Sequence, residues 1–212
     1  AGSSSAGIQA WVVMGGQRGS GTCINRVGTI ATYNAATDTF TQLLQALNEG
    51  RAYHQATLIS SGPAAGQILV TGGVQTCCLL NCPGPALQGE LFNPSTSSVT
   101  QVGAMRAPGR LLAASYPLAD GGVLVAGGYL DLANLVGYAS SEVYTFGAGF
   151  SDAGALPFQA GAPAFGLLSN GTPLLADILR PHGDAHHPAL VSFSPYPRQL
   201  QNSGAPLAFV ES

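Results

Sequence analysis

The segment RAYHQATLISSGPAAGQILVTGG, residues 51–73, contains two strand patterns that are joined by a polar turn and end at a glycine pair. Parts of this pattern return as RLLAASYPLADGGVLVAGG at 110–128, as WVVMGG at 11–16 and, in degraded form, as AFGLLSNGTPLLAD at 164–177. Short apolar runs that end at glycine are typical of buried strands. A hairpin that occurs four times along a chain predicts a repeat architecture.

Two sets of markers give the same repeat length. The glycine pairs end at Gly16, Gly73 and Gly128, which are 57 and 55 residues apart. The aromatic residues that follow the pairs are 59, 52 and 49 residues apart, at Tyr33, Phe92, Tyr144 and Phe193. Four short antiparallel strands in each unit of about fifty residues make one blade of a β-propeller, so the spacing predicts that fold.

The units share a residue set that resembles the kelch repeat: R-x-x-H, a glycine pair, then E-x-(F/Y)-(N/D)-P-x-(S/T). The second unit carries nearly the whole set: Arg51, His54, Gly72, Gly73, Glu90, Phe92, Asn93, Pro94 and Thr96. The third unit keeps Arg110, Gly127, Gly128, Glu142 and Tyr144, and the first keeps Gly15, Gly16, Tyr33, Asn34 and Thr37. The tryptophan usual in the family is replaced by Phe40, Val99 and Phe150. The resemblance implies a bacterial-type secreted protein of the kelch and galactose-oxidase-like superfamily.

We expect one all-β domain over residues 1–212, a β-propeller of about four kelch-like four-stranded antiparallel blades. The expected blades are residues 8–47 together with the C-terminal strand 205–211, then 50–103, 108–156 and 160–204. The C-terminal strand would complete the first blade and close the ring, which removes an open sheet edge. The alternatives are a fragment, or a larger ring that a second copy of the chain completes.

The composition favours an extracellular protein. Charged residues are 8% of the chain, against about 25% in typical domains, and the net charge is −3. The absence of a basic stripe argues against nucleic acid as a partner, and no apolar run reaches the ~18 residues of a membrane span. The first residues, AGSSSAGIQ, look like a mature end left after removal of a signal peptide.

The four cysteines are an even number, and in a secreted chain this favours disulfides. They lie in loops between second and third strands, Cys23 in the first unit and Cys77, Cys78 and Cys82 in the second. A bridge from Cys23 to Cys77 or to Cys78 would link neighbouring blades, and Cys82 would close a local loop. We expect such bridges to hold loops in place.

Loops between second and third strands hold the other unusual residues as well. The fourth unit's loop has the densest group of possible metal ligands, His182, Asp184, His186 and His187, which could bind Zn²⁺ or Cu²⁺ or could simply be solvated. The third unit's loop is apolar, and we predict that it binds a ligand through Tyr129, Leu132, Leu135 and Tyr138. The alternative is that this loop folds back over the channel.

The few charged residues repeat at matching positions, Arg51 with Glu90 and Arg110 with Glu142. We predict that they form buried structural ion pairs with hydrogen bonds between strands. His54 stands at the usual kelch histidine position and is expected to form a hydrogen bond between blades.

The sequence predicts a secreted, non-catalytic binding or assembly module without a cofactor. Its partner would be a protein or a glycan, bound on the face that carries the loops between second and third strands; self-assembly is a further possibility. The alternative is a copper-dependent oxidase or a fragment of one, because Tyr53 and His54 resemble the adjacent Tyr and His that bind copper in galactose-oxidase-like enzymes. Those enzymes use a seven-bladed ring, which 212 residues do not supply.

Overall fold

The computed structural model describes residues 10–18, 23–75, 77–78, 86–106, 109–130, 136–167, 173–176, 190–195 and 198–202. This part of the chain is all-β and contains no helix. Its first ten strands are β1 (Ala10–Met14), β2 (Gln17–Arg18), β3 (Cys23–Arg26), β4 (Thr29–Asn34), β5 (Thr39–Ala46), β6 (Ala52–Leu58), β7 (Ile68–Val74), β8 (Cys77–Cys78), β9 (Gln88–Asn93) and β10 (Ser98–Ala104). The remaining strands are β11 (Ala114–Pro117), β12 (Val123–Ala126), β13 (Tyr138–Thr145), β14 (Gly149–Ala160), β15 (Ala164–Leu167), β16 (Pro173–Ala176), β17 (Leu190–Pro195) and β18 (Arg198–Asn202).

Four antiparallel sheets follow one another along the chain. Sheet 1 has the order β1-β4-β5, sheet 2 the order β6-β7-β9-β10, sheet 3 the order β11-β12-β13-β14 and sheet 4 the order β15-β16-β17-β18. Within each sheet, every strand is hydrogen-bonded to the next strand of that sheet along the chain. The last strand of sheet 3, β14, continues to Ala160, beyond the end predicted for the third unit at residue 156. A small fifth sheet, β2-β3-β8, joins the loops of sheets 1 and 2.

The sheets pack face to face. Ile30 of sheet 1 lies in a buried cluster with Val70 and Phe92 of sheet 2, and Leu69 of sheet 2 lies in another with Val125 of sheet 3. Because they are covered on both faces, the second strands β7 and β12 are almost wholly buried, which explains their continuous apolar runs. Each such Leu or Val side chain contributes about 1.5–3 kcal/mol of burial free energy.

A cross-strand pair links the last two strands of each of the first three sheets. The antiparallel register sets Tyr33 opposite Phe40, Phe92 opposite Val99 and Tyr144 opposite Phe150. The ring centroids of Tyr33 and Phe40 are 4.8 Å apart, and those of Tyr144 and Phe150 are 5.4 Å apart. These tilted pairs have the separation at which aromatic rings attract each other, so they stabilise the meander.

A hydrogen bond from each of the first two glycine pairs joins one sheet to the next, and the third pair makes the corresponding bond to the last strand of its own sheet. The amide of Gly16 donates to the Arg51 carbonyl at 2.9 Å and that of Gly73 donates to the Arg110 carbonyl at 2.8 Å. The amide of Gly128 donates to the Ala160 carbonyl, also at 2.8 Å. We call this repeated contact the glycine joint. Ala160, the last residue of β14 in sheet 3, therefore takes the acceptor position that Arg51 and Arg110 take just before the first strands of sheets 2 and 3.

The two arginines whose carbonyls accept these bonds, Arg51 and Arg110, each form a buried ion pair with a glutamate of the sheet that follows. The Arg51 guanidinium is 2.6 Å from the Glu90 carboxylate, and both side chains are fully buried. It also donates to the carbonyl oxygens of Gly72 at 3.0 Å and Gln88 at 3.1 Å. Glu90 in turn accepts the backbone amide of Asn48 at 2.6 Å, so the pair also holds the connection from sheet 1.

The same arrangement recurs in sheet 3. The Arg110 guanidinium is 2.9 Å from the Glu142 carboxylate and donates to the carbonyl oxygens of Gly127 and Ser140, each at 2.9 Å. Glu142 accepts the backbone amide of Arg106 at 2.7 Å, which fixes the connection from sheet 2. The four charged residues singled out by their repetition are thus brought together as two buried pairs.

Candidate ligand-binding surface

The strands β1, β7 and β12 run towards one end of their sheets, and their partners β4, β9 and β13 run away from it. We call this the loop end. The loops of sheets 1 and 2 meet there, because β3 pairs with β8 in antiparallel register. In that register the Cα of Cys23 lies opposite that of Cys78, and Ile24 lies opposite Cys77.

Tyr53 is the aromatic residue that the loop end exposes most clearly among the described residues, with 36% of its surface accessible. Its backbone has a φ of 59°, and Leu112, at the matching position of the next repeat, has a φ of 55°. The Leu112 amide donates to the Tyr53 carbonyl at 2.9 Å. A positive φ costs a non-glycine residue about 1 kcal/mol or more. Contacts with the surrounding residues therefore keep Tyr53 and Leu112 in this backbone conformation.

Two side chains from the β2–β3 hairpin surround the Tyr53 ring. The Arg26 guanidinium lies 5.7 Å from the ring centroid, within the range of a cation–π contact. Arg26 also donates to the Gln17 side-chain oxygen at 2.6 Å, and the Tyr53 hydroxyl donates to the same oxygen at 3.5 Å. Sequence reasoning missed Gln17 and Arg26, because nothing in the hairpin sequence indicates that it lies against the neighbouring sheet.

Among the described residues, further apolar side chains are exposed at the loop end. Leu87 is exposed just before β9, and Leu130 and Val136 are exposed in the connection after β12. The Leu130 amide donates to the Val136 carbonyl at 2.9 Å, which holds the base of that connection together. Together with Tyr53, we call these residues the loop-end apolar group.

The structure corrects the prediction for Tyr129. Only 5% of its surface is exposed, and its ring lies directly against Gly161. Its backbone also forms bridges to Leu111 and Gly137. A ring enclosed in this way cannot stack on a ligand, so the expectation that Tyr129 binds one from solvent is wrong.

Tyr138 is half-buried beside the Arg110 guanidinium, which lies 5.2 Å from its ring centroid. Its hydroxyl has no hydrogen-bond partner among the described residues. Burial raises the pKa of Tyr138, and the nearby charge of Arg110 opposes this effect. The ring therefore covers the internal ion pair of sheet 3. Leu132 and Leu135, the other two residues predicted to bind with it, lie outside the described residues.

His54 lies at the contact between sheets 1 and 2. Its imidazole packs so closely on Gly15 that a Cβ there would approach the ring Cε1 to 2.7 Å. Burial, and then the positive charge of Arg51, lower the pKa of His54. The folded protein therefore favours the neutral imidazole at this contact.

We expect His54 to make stability depend on pH. Its pKa is lowered from about 6.5, so the unfolded chain binds more protons than the folded one below that value. The contribution of neutral His54 is complete above about pH 6.5 and is lost as the pH falls through it. When the pH is lowered from about 7.5 to about 5.5, the free energy of unfolding measured in urea should fall more for the natural protein than for His54→Gln. Equal losses in the two proteins would contradict this assignment.

The remaining predicted site residues lie outside the described part of the chain: His182, Asp184, His186, His187 and Cys82. Within the part that is described, no three His, Cys, Asp or Glu side chains gather where they could hold a metal ion. The described residues also include no helix long and apolar enough to cross a membrane.

No protein-family model and no curated protein matches this chain. Among solved structures, the chain is similar to the structure of YjhT, with a TM-score of 0.61 and 15% sequence identity. The superposition covers 79% of this chain and 55% of that one, so this chain spans about half the length of YjhT. At this identity the similarity shows a shared fold and nothing about activity.

Proposed function

We propose that this protein is a secreted kelch-like β-propeller that acts as a non-catalytic binding or assembly module for a protein or a carbohydrate. The observation that carries the proposal is the loop-end apolar group, in which Tyr53 and Leu87 of sheet 2 and Leu130 and Val136 of sheet 3 are exposed at the same end of the two sheets. Apolar side chains that gather on the surface of a soluble protein often mark an interaction site. Loops held by a rigid sheet scaffold are the usual place for such a site.

The chemistry around Tyr53 suits binding rather than catalysis. The ring offers an apolar surface and a hydroxyl, and Arg26 adds guanidinium donors beside it. Stacking and hydrogen bonding of this kind need no nucleophile or general base. The arginines and glutamates that recur in the repeats form internal ion pairs with each other.

We expect Tyr53→Asn to weaken binding at least tenfold without loss of stability. Asparagine tolerates a positive φ, so the substitution removes the ring and keeps the backbone. Leu58→Asn is the matched control, because Leu58 is an exposed apolar residue at the other end of the same strand. Purified protein would be applied to glycan and extracellular-protein arrays, and each bound ligand would be titrated against both variants. Equal affinities for the two variants would contradict the proposal, as would the absence of any bound ligand.

The four sheets are best interpreted as successive propeller blades. A ring of four, closed by residues 205–211, was the expectation, and that segment lies outside the described residues. The exposed Val13, Phe40 and Leu44 on sheet 1 support the alternative of a larger ring, in which another sheet covers this face. The greater length of YjhT agrees with that alternative. The mass in solution distinguishes a monomer from a ring completed by a second copy.

A secreted protein is in an oxidising environment, so we expect a disulfide between the loops of sheets 1 and 2. Residues directly opposite in an antiparallel pair have Cα atoms about 4.5–5.5 Å apart, within the range that a disulfide spans. The observed register favours Cys23 with Cys78 over Cys23 with Cys77. Peptide mapping of unreduced protein should find this bridge, and four free thiols would contradict it.

A further inference from the structure

An open groove lies between sheets 2 and 3, away from the loop end. One side is the outer strand β10 of sheet 2, and the other is the turn at 146–149 between β13 and β14 of sheet 3. Its volume is about 740 Å³. Small-molecule sites commonly have about 300–1,000 Å³, so the groove is large enough for an extended ligand.

An irregularity in β10 opens the groove. The pairing of β10 with β9 shifts register between Gln101 and Gly103, as in a β-bulge. Gly103 has a φ of 99°, and no atom lies within 4 Å of the position that its Cβ would take. Bulges bend a strand away from its neighbours. The bend therefore leaves space beside sheet 3 where straight strands would lie closer.

The floor of the groove is apolar and rigid. It is formed by Leu91 and Val102 from sheet 2 and by Tyr144 and Phe150 from sheet 3. Leu91 and Tyr144 belong to the buried core between these sheets, and Val102 and Phe150 pack against that core. A floor built on core residues keeps its shape without a ligand, which reduces the ordering cost of binding.

The rim is polar, aromatic and uncharged. Ser98, Thr100 and Gln101 are exposed along β10, and Phe146 is 45% exposed on the opposite turn. Asn93 uses its side-chain oxygen to accept the Ser95 amide, which leaves its amide nitrogen as a donor. Among the residues that the structure describes, no Asp, Glu, Lys, Arg or His lines the groove.

We propose that this groove binds a neutral saccharide chain. An aromatic side chain at the rim can pack on the apolar face of a pyranose ring, and neutral hydroxyl and amide groups can exchange hydrogen bonds with sugar hydroxyls. A ligand with phosphate or carboxylate groups would lose hydration there without gaining a cationic partner. The groove is separate from the loop-end apolar group, so this inference does not depend on the proposed loop-end function.

Amide resonances of isotope-labelled protein, followed during titration, test the proposal. The probes are hexasaccharides of glucose in α-1,4 and β-1,4 linkage, of xylose, of mannose and of N-acetylglucosamine, with an oligogalacturonate as the acidic comparison. At least one neutral probe should shift the amides of Thr100, Gln101 and Phe146. Phe146→Ala and Gln101→Ala should each weaken that binding about tenfold, which corresponds to about 1.4 kcal/mol.

Phe40→Ala is the matched control, because Phe40 is also an exposed phenylalanine but lies on sheet 1 outside the groove. It should leave the affinity unchanged. Thermal unfolding checks that all variants remain folded. The proposal is overturned if no neutral probe shifts the groove amides, if Phe146→Ala binds like the natural protein, or if the acidic oligosaccharide binds as tightly as the neutral ones.

Discussion

Gly72→Ala is expected to destabilise the protein by about 2–5 kcal/mol, because two costs combine at this position. Gly72 has a φ of 67°, and a left-handed backbone costs a residue with a Cβ about 1–2 kcal/mol. The new Cβ would also overlap the Arg110 carbonyl oxygen, the acceptor of the glycine joint between sheets 2 and 3. Relief requires the two sheets to move apart, and overpacking of this kind costs about 1–3 kcal/mol more.

Gly66→Ala measures the cost of the left-handed backbone without the cost of the steric overlap. Gly66 also has a positive φ, 83°, but no atom lies within 4 Å of its Cβ position. We therefore expect a loss of only about 1–2 kcal/mol, from the backbone alone. Urea unfolding of both variants measures the difference. Similar losses at the two positions would show that the close approach of the Arg110 carbonyl does not constrain the fold.

Glu90→Gln is expected to cost about 3–5 kcal/mol, because it leaves the buried Arg51 guanidinium without its principal counter-charge. Glu90 also accepts the backbone amides of Asn48 at 2.6 Å and Glu49 at 3.3 Å, so the connection from sheet 1 loses its charged acceptor. The second carboxylate near Arg51, that of Glu49, is 3.3 Å away and partly solvated.

Glu49→Gln is the matched control on the same arginine. Its side chain is 24% exposed, and partly exposed pairs contribute about 1 kcal/mol or less. The free energy of unfolding of the two variants should therefore differ by at least about 2 kcal/mol. If Glu90→Gln is no more destabilised than Glu49→Gln, the internal ion pair does not anchor the sheet connection.

Much of the fold could be predicted because its information is local and repeated. The glycine pairs and the turn after each aromatic residue reappear at intervals of similar length, and the observed register sets Tyr33 opposite Phe40 and Tyr144 opposite Phe150. The arginine and glutamate positions also stood out, since the chain contains so few charges. Residues that repeat in this way are those that stabilise each unit internally.

Contacts between units were harder to predict. The third glycine joint uses the carbonyl of Ala160 at the end of β14, and a backbone acceptor leaves no sequence signal when the arginine is absent. The burial of Tyr129 depends on Gly161 of the next unit, so an apolar loop sequence alone could not decide between an exposed and an enclosed ring. The groove depends in the same way on a bulge in one sheet facing a turn of another.

Native-state hydrogen exchange at the glycine joints tests the central structural claim most directly. The amides of Gly16 and Gly73 donate to carbonyls that lead into the next sheet, and the amide of Gly128 donates to Ala160 at the end of β14. These three amides should therefore be protected as strongly as the amides of the central strands β7 and β12. Exchange as fast as that of the exposed turn at Ala148 would mean that the sheets are not joined in this way.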